Sequence, residues 1–122
     1  MTGARDGFLP GYFAALDAGE DILPLLAPDF TFALLWATPE GAHEFAGGFD
    51  EWAGYMAQRE PDGQLHHVAH LLRDGSIEVA SGWTTRFDEP LGTFMFAAEL
   101  DEQRYARRFF AARTQAFGGR PF

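Results

Sequence analysis

The chain has 122 residues, 9 basic against 18 acidic side chains for a formal charge of −9, 47% hydrophobic residues, 13 Phe and no Cys. That length makes one domain, 1–122, able to bury a core without metal or disulfide staples, and the acidic balance argues against nucleic acid and anionic membrane surfaces. Without cysteine there are no disulfides, thiolate nucleophiles or cysteine-ligated metals; with no signal-peptide core and no apolar run of membrane-spanning length, the expected setting is the cytoplasm.

Phe8, Tyr12, Phe13 and Leu16 recur at helical spacing, with Pro10 in the first turn and Gly19 past the end, which predicts a short amphipathic helix. Residues 22–26 read as a second helical turn or two, ended by Pro28 and Asp29. Over 30–36, Phe30, Phe32, Leu34 and Trp36 alternate with Thr31, Ala33 and Leu35. Both faces of that strand are largely apolar, so it is expected to be covered on both sides. A turn at 38–42 precedes His43, Glu44 and Phe45 on a loop or short strand. Helical period resumes over 49–59 through Phe49, Trp52, Tyr55 and Met56, with Asp50 and Glu51 in the first turn, where the helix dipole favours anions. Pro61, Asp62 and Gly63 stop it.

The stretch 65–115 organises the rest. It reads as strands 65–73, 76–87, 93–100 and 104–115, with the strongest hairpin signal at Asp74-Gly75 and further turns at 88–92 and 101–103. The tail 117–122 is expected to be loose or laid over a partner subunit. Helix, helix, strand, helix and a four-strand meander make an α+β roll, its helices packed in the concave side of a strongly bent sheet.

Three histidines on the first of these strands are the best lead to chemistry. Strand parity places His66 and His70 on one face and His67 on the other. His66 and His70 lie about 13 Å apart along the backbone at ~3.3 Å per residue, so one metal could not bridge them without carboxylates such as Glu40, Glu78 or Glu99. No metal or other cofactor is expected. A single His in an apolar pocket suits general acid–base work, because burial tunes its pKa. By the same parity Arg107 and Arg113 share a face and Arg104 and Arg108 take the other, and one inward Arg could hold a substrate carboxylate or enolate. Glu40, His43 and Glu44 form an acidic and imidazole cluster that is either a gating pair or solvated charge.

Several segments carry a resemblance: 12–20 (YFAALDAGE), 26–32 (LAPDFTF), 44–52 (EFAGGFDEW), His66-His67-Val68 and 99–103 (ELDEQ). In their order and spacing they resemble the nuclear transport factor 2-like superfamily, which includes ketosteroid isomerase, scytalone dehydratase and the SnoaL-like polyketide cyclases. The resemblance implies a cone-shaped α+β barrel, with a strongly curved mixed or antiparallel sheet and three N-terminal helices in its concave face. It also implies a deep pocket and a homodimer formed through the outer sheet face.

The positions of the isomerase's base and oxyanion-hole acid would fall near Leu34 and Phe96, where no polar group stands. Steroid isomerisation of the usual kind is therefore not expected. The pocket histidine of the cyclases and of the dehydratase matches His66 or His67. The pocket pair is taken as His66 and His70, one or the other moving the proton, with Tyr12 at the pocket mouth steadying an oxygen. Leu34, Trp36, Trp83, Phe94, Phe96 and Phe110 would wall the cavity, and Ser81 would supply a polar contact.

The expected function is a cofactor-independent isomerase, cyclase or dehydratase acting on a small, apolar, partly planar ligand. The alternative is a non-catalytic ligand-binding or dimerisation module of the same fold. A third class is a partner-binding protein using the outer sheet face.

Overall fold

Apolar side chains at helical spacing form α1, Phe8–Asp17, which buries Leu9, Tyr12 and Phe13. In the computed structural model, which describes residues 7–59 and 63–115, a single 3-10 turn at Leu23–Leu25 follows. The expected second helix is only this turn: it spans three residues, holds Pro24, and passes directly into β1, Leu26–Thr38. Then come β2 at Gly41–Gly48, α2 at Phe49–Gln58, β3 at Gln64–Asp74, β4 at Ile77–Arg86, β5 at Glu89–Leu100 and β6 at Ala106–Thr114. Two helices therefore stand where three were expected. The helix stop at Pro61-Asp62 and the tail at 117–122 lie outside the described residues.

The four C-terminal strands form the expected antiparallel meander, but the sheet extends beyond it. Its order is β2-β1-β6-β5-β4-β3, with β1 parallel to β6 and every other pair antiparallel. Strands β2 and β3 are its two edges, so the six strands form an open sheet, not a closed barrel. The β3–β4 hairpin turns at Gly75, with φ +60°, a conformation that costs glycine little. The next turn falls at Phe87 and Asp88, both at positive φ, so β5 begins at Glu89, earlier than the proline and glycine further on suggest.

Besides a register shift between Leu26 and Thr31 where β1 meets β6, bulges on β3, β5 and β6 set which side chains face inward. Ala69 is an extra residue on β3 opposite β4, Leu91 one on β5 opposite β4, and Arg107 one on β6 opposite β5. Each reverses the simple odd–even alternation beyond it.

Both helices lie against the inner face, α1 on β3 and β4, and α2 on β1 and β2. There Phe30, Phe32, Phe94, Phe96 and Phe109 are buried. The Phe109 ring meets those of Phe96 at 4.8 Å, Phe30 at 4.9 Å, Tyr12 at 5.0 Å and Trp52 at 5.7 Å. These rings fill one end of the interior, so any hollow must lie at the other. On the opposite face of β1, Thr31 and Leu35 are exposed, contrary to the expectation that both faces are covered.

The start of α1 is held from across the sheet. No side chain of its own sequence caps it, and its first amides instead donate to Glu78 of β4, Phe8 N at 2.8 Å and Leu9 N at 3.0 Å. Glu78 is fully buried and also meets Arg73 at 3.4 Å and Arg104 at 3.5 Å. A carboxylate at a helix N-terminus satisfies orphan donors and complements the dipole.

Candidate functional site

The hollow end holds two chambers. The outer one, about 400 Å³, is walled by Leu34, Trp36, Phe45 and Tyr55, with Arg113 beside Trp36 on β6 and Gly92 on β5. The inner one is about 40 Å³ and reaches Tyr12, Trp52, His66 and Arg59. Leu34, Tyr55 and Arg113 line both, so the chambers meet at these residues. A volume of 400 Å³ suits a small ligand, whereas 40 Å³ admits only a few atoms.

The last turn of α1 delivers Asp17 to the start of β3. One carboxylate oxygen accepts the His66 backbone N–H at 2.6 Å and the other lies 2.7 Å from His66 Nδ1, with the two side chains 10% and 7% exposed. An ionised carboxylate only accepts, so Nδ1 carries the proton and Nε2 is left as the basic nitrogen. Nε2 has no hydrogen-bond partner among the described residues. Phe13 stacks flat on the imidazole at 4.8 Å and Phe94 meets it edge-on at 5.5 Å, which fixes the ring plane. Burial lowers the His66 pKa; the Asp17 hydrogen bond and charge oppose that, and Arg113 and Arg59 reinforce it. The imidazole is therefore neutral near pH 7, the form a base requires.

Tyr12 and Trp52 place two further donors at the inner chamber. Trp52 lies close enough to favour ionisation of the Tyr12 hydroxyl, yet among the described residues neither Tyr12 Oη nor Trp52 Nε1 has a hydrogen-bond partner of acceptable geometry. Burial is the main influence and raises the phenol's pKa, so Tyr12 stays protonated and can donate a hydrogen bond to an incoming acceptor. Buried donors left unpaired are rare, and they are of use where a substrate oxygen takes the missing partner's place.

The structure brings together Tyr12, Leu34, His66, Phe94 and Phe96 at the inner chamber and places Trp36 at the outer one. Tyr12 is at the deep end, not at the mouth as expected. The positions of Leu34 and Phe96 do face the cavity, and both are apolar.

Four other candidates lie on the opposite face. His70 is separated from His66 by the Ala69 bulge, so the expected shared parity fails: Val68 and Leu71 pack toward the core while His70 is exposed. On β4 the inward positions are Glu78, Ala80, Gly82 and Thr84, which puts Ser81 and Trp83 outside. A Cβ at Gly82 would overlap the His67 carbonyl and lie 2.9 Å from Phe94 Cζ, so nothing larger fits inward there. Trp83 instead stacks on His67 at 5.0 Å, and His67 Nε2 lies 2.8 Å from Thr85 Oγ1. Phe110 is 65% exposed, because the inward sequence of β6 is Ala106, Phe109, Ala111 and, past them, Arg113. The Arg107 bulge likewise separates Arg107, paired with Asp29 at 3.3 Å, from Arg113.

His43 stacks on Trp36 at 5.3 Å and stays exposed, so the 40–44 cluster does not reach His66. Among the described residues no three His, Asp or Glu side chains gather closely enough to hold a metal ion, and no helix is long and apolar enough to cross a membrane.

Sequence reasoning missed Asp17 and Trp52. Asp17 did carry a signal, since an acid in the last turn of a helix opposes the macrodipole and needs another reason to be there.

The sequence matches no family model and no curated protein. Solved structures do match. A candidate ketosteroid isomerase from Kribbella flavida aligns with TM-score 0.64 at 22% identity, over 86% of this chain and 73% of its own. Wild-type IdmH from Streptomyces antibioticus, a candidate polyketide cyclase, aligns with TM-score 0.65 at 13% identity, over 86% and 88%. A SnoaL-like protein of unknown function from Burkholderia thailandensis aligns with TM-score 0.65 at 14% identity, over 93% and 98%. At such identities the likeness establishes the fold, and function rests on the site.

Proposed function

We propose that this chain, which has the nuclear transport factor 2-like fold in its SnoaL-like and ketosteroid isomerase-like form, is a cofactor-independent isomerase, cyclase or dehydratase. Its ligand is apolar and partly planar. The observation that carries the reading is the Asp17–His66 pair, with an imidazole nitrogen that has no hydrogen-bond partner among the described residues, beside the inner chamber.

In this scheme His66 Nε2 removes a proton from carbon next to a carbonyl and Asp17 steadies the imidazolium that forms. The same His66 returns the proton at another atom or to a leaving hydroxyl. Tyr12 Oη and Trp52 Nε1 donate to the oxygen on which charge develops, which supports a keto–enol mechanism. The small inner chamber receives that oxygen, and the ligand's body occupies the outer one between Trp36 and Phe45.

The reading includes a homodimer. On the outer face, register aligns Ala33, Phe110 and Ala97 in one row and Leu35, Ala112 and Met95 in the next, with Leu35, Met95 and Phe110 exposed. A second copy covering these rows would remove an apolar patch from water.

Deuterium uptake by 2-tetralone in D₂O buffer tests the proton transfer without knowledge of the natural substrate. The protein should accelerate exchange at the carbon next to the carbonyl, and His66→Gln should reduce that by about 10²–10⁴-fold. Equal rates for the two proteins would exclude His66 as the base.

A further inference from the structure

Resting on the pocket reading above, we infer that the ligand is an acid, an apolar planar carboxylate whose anionic group is bound by Arg113 where the two chambers meet.

The distribution of positive charge carries this. The sequence has no lysine, so its nine cationic side chains are all arginine. Four of them are ion-paired away from the chambers: Arg73 and Arg104 with Glu78 at 3.4 and 3.5 Å, Arg107 with Asp29 at 3.3 Å, and Arg108 with Glu99 at 3.9 Å. Arg113 has no ion-pair partner among the described residues, although the chain has twice as many acids as bases. Tyr55 and, more weakly, Asp17 favour its charge electrostatically while Arg59 opposes it, and both oxygens of Asp17 are engaged by His66. Arg59, which lines the inner chamber, likewise has no ion-pair partner among the described residues.

Burial is costly for such a cation and lowers the Arg113 pKa, although a guanidinium stays protonated in any case. A part-buried charge without a counterion is unfavourable, and a ligand anion relieves it. The planar fork of the guanidinium matches a carboxylate with two parallel hydrogen bonds, and it is less strongly hydrated than an ammonium. Leu34, Trp36 and Phe45 around it favour a flat apolar body over a heavily hydrated polyanion.

The test compares 2-naphthoate with 2-naphthamide at pH 7.5 by isothermal titration calorimetry. The pair has nearly the same shape and differs in charge. The intact protein should bind the acid about ten- to a hundredfold more tightly than the amide, the range of a charge-assisted hydrogen bond. Arg113→Met should abolish the preference while retaining amide binding, and Arg113→Lys should keep part of it.

Equal binding of acid and amide by the wild type, no binding of the acid at 1 mM, or an undiminished preference in Arg113→Met would each overturn the inference. Should Arg113→Met not fold, the wild-type comparison and Arg113→Lys decide. A protein that favours the acid but does not exchange 2-tetralone protons would lose the catalytic reading and keep this one, and the reverse pattern would do the opposite.

Discussion

Replacing Asp17 by Asn removes a charge at nearly constant volume, so it isolates what the carboxylate does for His66. In the native pair one oxygen accepts from the His66 amide at 2.6 Å and the other from Nδ1–H at 2.7 Å. An Asn side chain has one oxygen and one NH₂ group. With its oxygen on the amide, the NH₂ meets Nδ1, and the imidazole must switch to the Nε2–H tautomer to accept from it. Each hydrogen bond to a charged group contributes about 1.5–3 kcal/mol, and the side chains are only 10% and 7% exposed, so little of this is screened. Asp17→Asn should destabilise the fold by about 2 kcal/mol, or roughly 6–10 °C in Tm for a chain of this size. Asp17 also opposes the burial that lowers the His66 pKa, so its removal should let the pKa fall further. Two-bond ¹⁵N–¹H spectra of the imidazoles read the tautomer and the titration, calorimetry reads Tm, and 2-tetralone exchange should slow by on the order of 10²–10⁴. An unchanged tautomer in Asp17→Asn, with Tm within about 1 °C of wild type, would refute the reasoning.

Other consequences follow from the same contacts. Because the His66 pKa is lowered in the fold, its contribution to stability is fully present above the unfolded value of about 6.5 and is lost as pH falls toward the folded value. Urea midpoints at pH 7.5 and 5.5 should therefore differ more for the wild type than for His66→Phe, and equal differences would count against a buried neutral imidazole. Glu78→Gln takes the charge from two helix amides and two arginines and should cost about 2–4 kcal/mol by urea titration; a loss under 0.5 kcal/mol would mean the α1 start is held otherwise. Gly82→Ala forces a methyl onto the His67 carbonyl and should cost about 3 kcal/mol or more, since backbone rather than a flexible side chain must move. Phe110→Glu should convert the proposed dimer to a monomer by light scattering, without loss of secondary structure. A wild type that is already monomeric at 100 µM would remove the dimer from the reading.

Much of the fold was legible because it is periodic. The spacing of Phe8, Tyr12, Phe13 and Leu16 marked α1 and that of Phe49, Trp52, Tyr55 and Met56 marked α2. Strict alternation through Phe30, Phe32, Leu34 and Trp36 gave the inward face of β1. The candidate site was legible only in part: His66 and Tyr12 were named and line the inner chamber, but His70, named as a proton carrier, Ser81 as a polar contact, and Trp83 and Phe110 as wall residues lie on the opposite face. Parity counts residues along one strand, whereas a bulge depends on the count of the strand opposite. Nothing near Ala69 or Arg107 in the chain announces that two residues will face one.

By itself the sequence determined what depends on neighbours three or four positions away: α1 and α2, five of the six strands with β2 left open, the Gly75 turn and a core rich in aromatic rings. Tertiary structure alone decided which histidine faces the chamber, that Asp17 would meet it across 49 positions of chain, and that Arg113 would have no ion-pair partner among the described residues. Local propensity arises from sterics and periodicity within a segment. The ionisation and hydrogen bonding of a site depend on groups from separate segments that meet only once the sheet has paired.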